Sequence, residues 1–352
     1  MKKLKKIMSV ALSLVLVLGL SACSSKKSTK DSQKDSTKTS TKDLKGTTLK
    51  AIATSEYKEV FEKFTKETGI KVETLSMSSG EAISRIKAEG GKPMADLWFG
   101  GGIDAFIQAK KDGLLEKYVS PEFKDIPDKY KDKEGYWVSK GITIVGFIVN
   151  KDVLKEKNLQ MPKTWQDLTK PEYKGEVLMS NPAISGTNYG VLCGLLENMG
   201  EEKGWEYFKK LNENITAYSK RGKDPQVKTV AGEAAIGITY IDKSITDLKD
   251  QHNVEIVYPE DGLPWIPEGV GIFKNASNVD AAKAFLDWIF KKDNMEFLAK
   301  HEGKDGATSS KPGVKGYDIK VPKDKLFEEN FAEYGKNRKN ILAKWADLTG
   351  NK

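Results

Sequence analysis

Tyr136-Trp137-Val138-Ser139-Lys140-Gly141-Ile142-Thr143-Ile144-Val145-Gly146-Phe147-Ile148-Val149 is a β-prone run whose length decides the architecture. Strands of globular proteins average about five or six residues, so this run is too long for one ordinary strand, and Gly141 and Gly146 interrupt it. It suits a chain that crosses from one folded body to another. Far downstream, Gly269 to Phe273 reads as a second crossing. The length allows two bodies, since 352 residues can fill two domains and a hydrophobic share of 38% is ordinary for a soluble protein.

Upstream of the crossing, strand and helix alternate. Leu49 to Ala53 reads as a strand, and Glu56 to Thr68 as a helix with Val60, Phe61 and Phe64 on one face, Ser55 at its start and Gly69 at its end. Ile70 to Leu75 is the next strand, followed by Ser78-Ser79-Gly80 and a helix bearing Ala82, Ile83 and Ile86. Ala95 to Phe99 then enters Gly100-Gly101-Gly102 and a helix that stops at Gly113. Strands separated by helices in this way form parallel βαβ units, whose ligands lie beyond the carboxyl ends of the strands. Thr54-Ser55, Ser78-Ser79-Gly80 and Gly100-Gly101-Gly102 should therefore share one rim. The triple glycine fits neither a strict dinucleotide fingerprint nor a P-loop, and the region around Pro121 to Asp125 is not a strand ending in an acid. It is a tight turn or a close backbone approach to a ligand. Ser55, Ser79 and Gly101 each have an alternative reading as helix caps or turn formers.

Downstream, Ser180-Asn181-Pro182-Ala183-Ile184-Ser185-Gly186-Thr187-Asn188-Tyr189 follows the apolar run Glu176 to Met179 and precedes Tyr189 to Met199, where Val191, Leu192, Leu195 and Leu196 recur at helical spacing until Gly200. A strand, a turn with Pro and Gly and then a helix N-terminus can hold an anion: free N–H groups point out of the helix, its dipole adds partial positive charge, and Ser185 and Thr187 offer hydroxyls. Ser185 or Thr187 capping the helix is the alternative. Helices are expected at Glu201 to Asn212 and Lys223 to Gly232, strands at Thr216 to Tyr218, Ala235 to Tyr240 and Val254 to Tyr258, and a loop at Pro259 to Glu268. Further helices include Ala281 to Phe290 and Asn330 to Leu348.

The amino terminus is an address. Met1 to Lys6 carries four lysines, Ile7 to Leu20 is almost wholly apolar, and Leu20-Ser21-Ala22-Cys23 has the form of a lipobox, which predicts cleavage before Cys23 and lipidation of its sulfur. Residues 23–46 are Ser, Thr, Lys and Asp with almost no apolar side chain, and are expected to form a disordered tether. Leader and tether each contribute +4 of the formal charge of +8, so the remainder is near neutral. The basic balance therefore suits an anionic membrane surface and is no argument for nucleic-acid binding. With Cys23 assigned to the anchor, Cys193 is left as a small core residue or, alternatively, a reactive thiol. His252 and His301 sit in polar contexts, and neither a zinc pattern nor a nucleophile with a base can be placed. No enzyme activity and no cofactor are expected, and a monomer is.

The ordered motifs ADLWFGGG (95–102), SKGITIVGFIVNKDVL (139–154), TWQDLTKPEYKG (164–175), SNPAISGTNYG (180–190) and VAGEAAIGITY (230–240), with the lipobox before them, resemble the extracellular solute-binding proteins of ABC importers. Within them the chain is most similar to the branch of ferric-iron, phosphonate and sugar-phosphate binders. The resemblance implies a two-lobed α/β fold of the type II periplasmic-binding-protein kind, with a hinge of two crossing strands and ligand in the cleft. It places residues 1–22 as leader, 47–141 as the first lobe with 268–352 returning to it, and 142–267 as the second. It implies closure around the cargo, delivery to a permease and its ATPase, and attachment to the outer face of the bacterial membrane. The candidate ligand-binding residues are Thr54, Ser55, Ser79, Gly80, Gly101, Ser185, Gly186, Thr187, Arg221, Tyr240 and Trp265. Arg221 matches a phosphoryl or carboxyl group bidentately, or is an exposed loop cation. Trp265 covers the cleft mouth or is a packing residue. Iron-binding members use adjacent tyrosines, whereas Thr239-Tyr240-Ile241 offers one, so Tyr240 would be a metal ligand only for a ferric cargo. An organic phosphate or phosphonate stands ahead of ferric iron, with thiamine or a polyamine further back.

Overall fold

The computed structural model describes residues 44–350 and 352, and the leader, Cys23 and the tether up to residue 43 lie outside them. Leu44 to Gly46, assigned to the tether by composition, belong to the folded body. Leu44 packs on the first core, its carbonyl accepts from Thr47 Oγ1 at 2.7 Å, and the Gly46 N–H donates to the Gly69 carbonyl at 2.9 Å.

The first half alternates as the periodicity predicts: β1 (Thr48–Ala53), α1 (Lys58–Thr68), β2 (Lys71–Ser76), α2 (Ser79–Ala88), β3 (Leu97–Gly102), α3 (Ile103–Lys111) and β4 (Leu115–Glu116). α1 buries Val60, Phe61 and Phe64 and ends on Gly69, whose φ of 77° suits a residue without a Cβ. Tyr57, not Ser55, precedes its first turn, which leaves Ser55 exposed on the rim rather than capping. Then come β5 (Val138–Asn150), α4 (Lys151–Glu156), β6 (Val177–Ser180), α5 (Gly186–Met199), α6 (Glu201–Asn214), β7 (Ile215–Ser219), α7 (Asp224–Val230) and β8 (Ile236–Tyr240). The chain closes with α8 (Lys243–Thr246), α9 (Leu248–Gln251), β9 (Val254–Val257), β10 (Trp265–Phe273), α10 (Val279–Ile289), α11 (Lys292–His301) and α12 (Phe331–Thr349).

The main strand order is β2-β1-β3-β10-β5-β8-β6-β7, with β4 on β10 and β9 on β5. β1 runs parallel to β2 and β3, and β6 runs parallel to β7 and β8. The antiparallel strands β5 and β10 lie between these two parallel sets. β5 is 13 residues long and buried throughout. Val138 to Ile144 pair with β10, whereas Val145 to Val149 pair with β8, so one strand serves both lobes and changes partner between Ile144 and Val145. Its glycines are points of close approach rather than breaks: a Cβ on Gly141 would lie 2.8 Å from the Thr308 carbonyl oxygen, and one on Gly146 2.6 Å from that of Val257. β10 begins four residues earlier than the sequence suggests, because Trp265 to Glu268, read as loop, pair with Ile144 to Gly141.

Each lobe has its own core. Phe61, Phe64, Phe99 and Phe285 pack together in the first, and Phe147, Trp165, Tyr189 and Phe208 belong to the second. α10 and α11 return to the first core. α12 touches both lobes, lying on α3 where a Cβ on Gly335 would sit 2.4 Å from Ile107 Cγ2, and placing Trp345 edge-on to Phe208 and Tyr218 of the second lobe.

Candidate functional site

A cavity of about 820 Å³ lies between the lobes. Parallel pairing of β1, β2 and β3 brings their carboxyl ends to one rim, and Thr54, Ser55, Ser79 and Gly101 line the cavity from that side. Ser185, Gly186, Thr187, Arg221 and Tyr240 line it from the other. Nine of the eleven candidates thus meet at one place.

The wall at α5 is built from its first turn. The helix begins at Gly186, three residues before the apolar periodicity begins, so the Gly186 and Thr187 N–H groups belong to the turn that has no intrahelical acceptor. Ser185 is the cap, its Oγ accepting from the Asn188 N–H at 3.4 Å. The loop of Arg221 covers this turn closely, since a Cβ on Gly222 would lie 3.3 Å from Thr187 Oγ1 and 3.4 Å from Ser185 Oγ. Ser180 Oγ donates to the Arg221 carbonyl at 2.6 Å, and the Arg221 N–H donates to Asp224 Oδ2 at 2.9 Å, which fixes the loop. The Arg221 guanidinium faces Glu81 across the cleft at 3.7 Å. Burial alone would raise the Glu81 carboxyl, but the N–H and hydroxyl of Ser78, with Arg221, hold it below the usual range.

On the facing wall Ser78, not Ser79, pairs with Glu81 at the start of α2. Ser79 Oγ is buried and has no hydrogen-bond partner among the described residues. It lies against two glycines: a Cβ on Gly101, at φ 91°, would come 2.1 Å from it, and one on Gly186 2.9 Å. The lobes touch here. The Gly80 N–H donates to the Ile184 carbonyl at 3.2 Å, and on another side of the cleft the Lys243 N–H donates to that of Gly303 at 2.7 Å. Gly80 is therefore a contact between lobes and not a lining residue, which corrects its assignment to the ligand.

Trp265 is corrected as well. Its ring is buried, its Nε1–H donates to the Phe327 carbonyl at 2.8 Å, and it packs edge-on to Phe331, away from the cavity. Cys193 is buried in α5, and burial raises its thiol well above the ordinary value, as for an inert core residue.

The floor carries charges that the sequence reading passed over. Lys140 of β5 is held between Glu268 of β10 and Glu302 beyond α11, both within contact distance, while Lys304 reaches Glu268 at 2.6 Å and Thr143 at 3.2 Å. Tyr57 donates to Glu302 at 3.0 Å. Burial opposes charge on Lys140, but the two carboxylates override it and raise the ammonium well above its ordinary value. Burial would likewise raise Glu268, yet Lys140 and Lys304 pull it well below the carboxylate range. Beside them, burial raises both Asp242 and the Tyr240 phenol. Lys140 and Glu268 were visible as lone charges within otherwise apolar runs. Among the described residues, no group of three or more His, Cys, Asp or Glu is placed to hold a metal ion.

Two α/β lobes joined by paired crossing strands, with hydroxyls, first-turn N–H groups and charges facing a shared cavity, define a hinged binding protein. The comparisons place it: residues 92–328 match the family described as bacterial extracellular solute-binding protein, and the chain belongs to it. The chain is 31% identical to the periplasmic binding protein AfuA from Actinobacillus pleuropneumoniae, solved with exogenous fructose-6-phosphate bound, at a TM-score of 0.80 over 86% of this chain and 99% of that one. It is 30% identical to a probable ABC transporter periplasmic-binding protein of Sinorhizobium fredii, over 66% of each chain. It is 26% identical to an Fe(3+)-binding periplasmic protein of Serratia marcescens, over 74% of this chain and 79% of that one. The protein is thus the solute-binding component of an ABC importer, a binding protein rather than an enzyme, working outside the cytoplasm with a permease and its ATPase.

Proposed function

We propose that this protein captures a small organic phosphate ester of sugar-phosphate size, with its phosphoryl group at the first turn of α5 beside Arg221. The observation that carries this reading is that Gly186 and Thr187, in the helix turn whose N–H groups lack intrahelical acceptors, line one wall of a cavity of about 820 Å³ together with Arg221, whose loop packs against Thr187 Oγ1. Such a volume is in the range of organic ligand sites, and exceeds what a bare ion requires. The other groups fit the remainder of such a molecule, since the carboxylates of Asp242 and Glu268 accept from ligand hydroxyls while Thr54, Ser55, Thr143 and Tyr240 donate or accept. A ferric cargo finds no sequence-adjacent pair of tyrosines in the lining, since Tyr57, Tyr240 and Tyr317 come from separate parts of the chain and Tyr57 already donates to Glu302. The same proposal includes a monomer held at the membrane by a lipidated Cys23.

Calorimetry with fructose 6-phosphate, inorganic phosphate and ferric citrate tests the cargo class. The sugar phosphate is expected to bind, and binding of ferric citrate alone would refute the reading. Arg221→Ala should weaken the sugar phosphate by about 10- to 100-fold, since a hydrogen bond to a charged group is worth about 1.5–3 kcal/mol. Thr187→Ala is the cleaner companion, because Ser185→Ala also removes a helix cap worth about 1 kcal/mol. Unchanged affinity in both Arg221→Ala and Thr187→Ala would remove the phosphoryl group from this wall. For the anchor, Cys23→Ser should move the protein from the membrane fraction to the medium, and its retention with lipid would refute the assignment.

A further inference from the structure

Arg338 is a buried cation at the junction of three elements. It projects from α12, its Nε–H donates to Asp104 Oδ2 at 2.9 Å, and its Nη2–H reaches the Ala183 carbonyl at 3.5 Å. Its guanidinium carbon stands 5.0 Å from the centre of the Tyr189 ring. Asp104 lies in the first turn of α3, just beyond Gly102 of the cavity wall. Ala183 lies in the turn that leads to Gly186 and Thr187, and Tyr189 lies in α5 itself. One guanidinium therefore contacts both walls of the cleft from behind.

We propose that Arg338 is a positioning residue that ties the first turn of α3 to the turn before α5, and so sets the anion cradle in register with the first lobe. This rests on the reading of residues 185–187 as that cradle.

The surrounding packing leaves the side chain little freedom. Tyr189 Oη–H donates to the Tyr334 carbonyl at 2.7 Å, which joins α5 to the same stretch of α12. The absence of a Cβ on Gly335 lets α12 approach α3, the site of that Cβ being 3.2 Å from the Asp104 carbonyl oxygen. A planar, multidentate guanidinium can serve a carboxylate, a carbonyl and a ring face at once, whereas an ammonium on a flexible stem cannot hold all three in one geometry. Burial pushes the Asp104 carboxyl up to about 6 even with Arg338 beside it, so the pair is costly and either member left alone would be an uncompensated buried group. Asp104 Oδ1 has no hydrogen-bond partner among the described residues, so the side-chain hold on this carboxylate comes from Arg338 through Oδ2, with the Ala105 N–H also favouring its charged form.

The test uses the full chain with three variants: Arg338→Lys, Arg338→Met and the double variant Asp104→Asn/Arg338→Met. The double variant removes both buried charges and keeps the experiment decisive if Arg338→Met alone does not fold. Hydrogen exchange is followed without ligand, and fructose 6-phosphate binding by calorimetry. The expected result is exchange about tenfold faster across residues 183–190 in Arg338→Lys and in the double variant, with β5 and β10 unchanged, and about tenfold weaker binding. Unchanged exchange across residues 183–190 overturns the proposal whatever the binding result. Acceleration spread evenly over both cores also overturns it, since that marks general loss of packing. Should exchange respond locally while wild-type protein ignores the sugar phosphate, Arg338 retains its role and the cargo class falls.

Discussion

Lys140→Met is expected to destabilise the protein by about 3–5 kcal/mol, lowering the melting temperature by about 10 °C, as measured by calorimetry. The side chain is 1% exposed and contacts Glu268 and Glu302, so replacing the ammonium with a thioether removes the cation that justifies burying two carboxylates. Lys304 still contacts Glu268, but among the described residues Glu302 keeps only the Tyr57 hydroxyl as a side-chain partner. The effect should depend on pH with a definite sign. In the wild type Glu268 is held well below its ordinary value, so its contribution is present above the unfolded carboxylate range near 4.5 and is lost as pH falls toward its folded value. Without Lys140 that advantage shrinks, and acid can neutralise the stranded carboxylates. The gap between variant and wild type should therefore narrow from pH 7 to pH 4. A gap of constant size would show that Lys140 acts through packing of its alkyl stem rather than through charge. Because Lys140 and Glu268 sit on the two crossing strands, the variant also tests whether the hinge depends on this network for its rigidity.

How much of this could be read beforehand divides along physical lines. Local periodicity exposed α1, because Val60, Phe61 and Phe64 recur on one face, and the parallel units then placed Thr54, Ser79 and Gly101 on a common rim. The length of β5 signalled a strand serving two lobes, since no single half-sheet uses 13 residues. What escaped was long-range. Lys140 pairs with Glu268 and Glu302, which are 128 and 162 residues away, and no spacing rule in one sequence links them. Trp265 lay beside Pro264 and Pro267 in a stretch that reads as loop, yet strand pairing to Ile144 turned its ring into the interior. Gly80 resembled a ligand-approaching glycine because the sequence shows a missing side chain but not which surface occupies the space. Here that surface is the other lobe. Arg338 was lost among the charges of a polar helix face, where burial is invisible without α3 laid against it.

Gly80→Ala should lower affinity for the sugar phosphate by about 10- to 100-fold while leaving the melting temperature of the ligand-free protein within about 2 °C. Gly80 is the second residue of α2 and is absent from the positive-φ glycines, so alanine suits the local backbone and the helix loses nothing. The added methyl would instead lie 2.2 Å from the Ala183 carbonyl oxygen and 3.0 Å from Ile184 Cα, both backbone atoms of the opposite lobe. Neither can swing aside as a side chain would, and the lobes must part by about 1 Å at this point. That movement breaks the 3.2 Å hydrogen bond from Gly80 N–H to Ile184 and draws the cradle away from Ser79 and Gly102. Apparent affinity falls in proportion to the fraction of molecules able to close. Small-angle scattering supplies the geometric readout, with wild type compacting on ligand addition and the variant compacting less at equal saturation. If Gly80→Ala binds and compacts as wild type does, the contact between Gly80 and the turn before α5 is not part of closure, and the cleft shuts about a different surface.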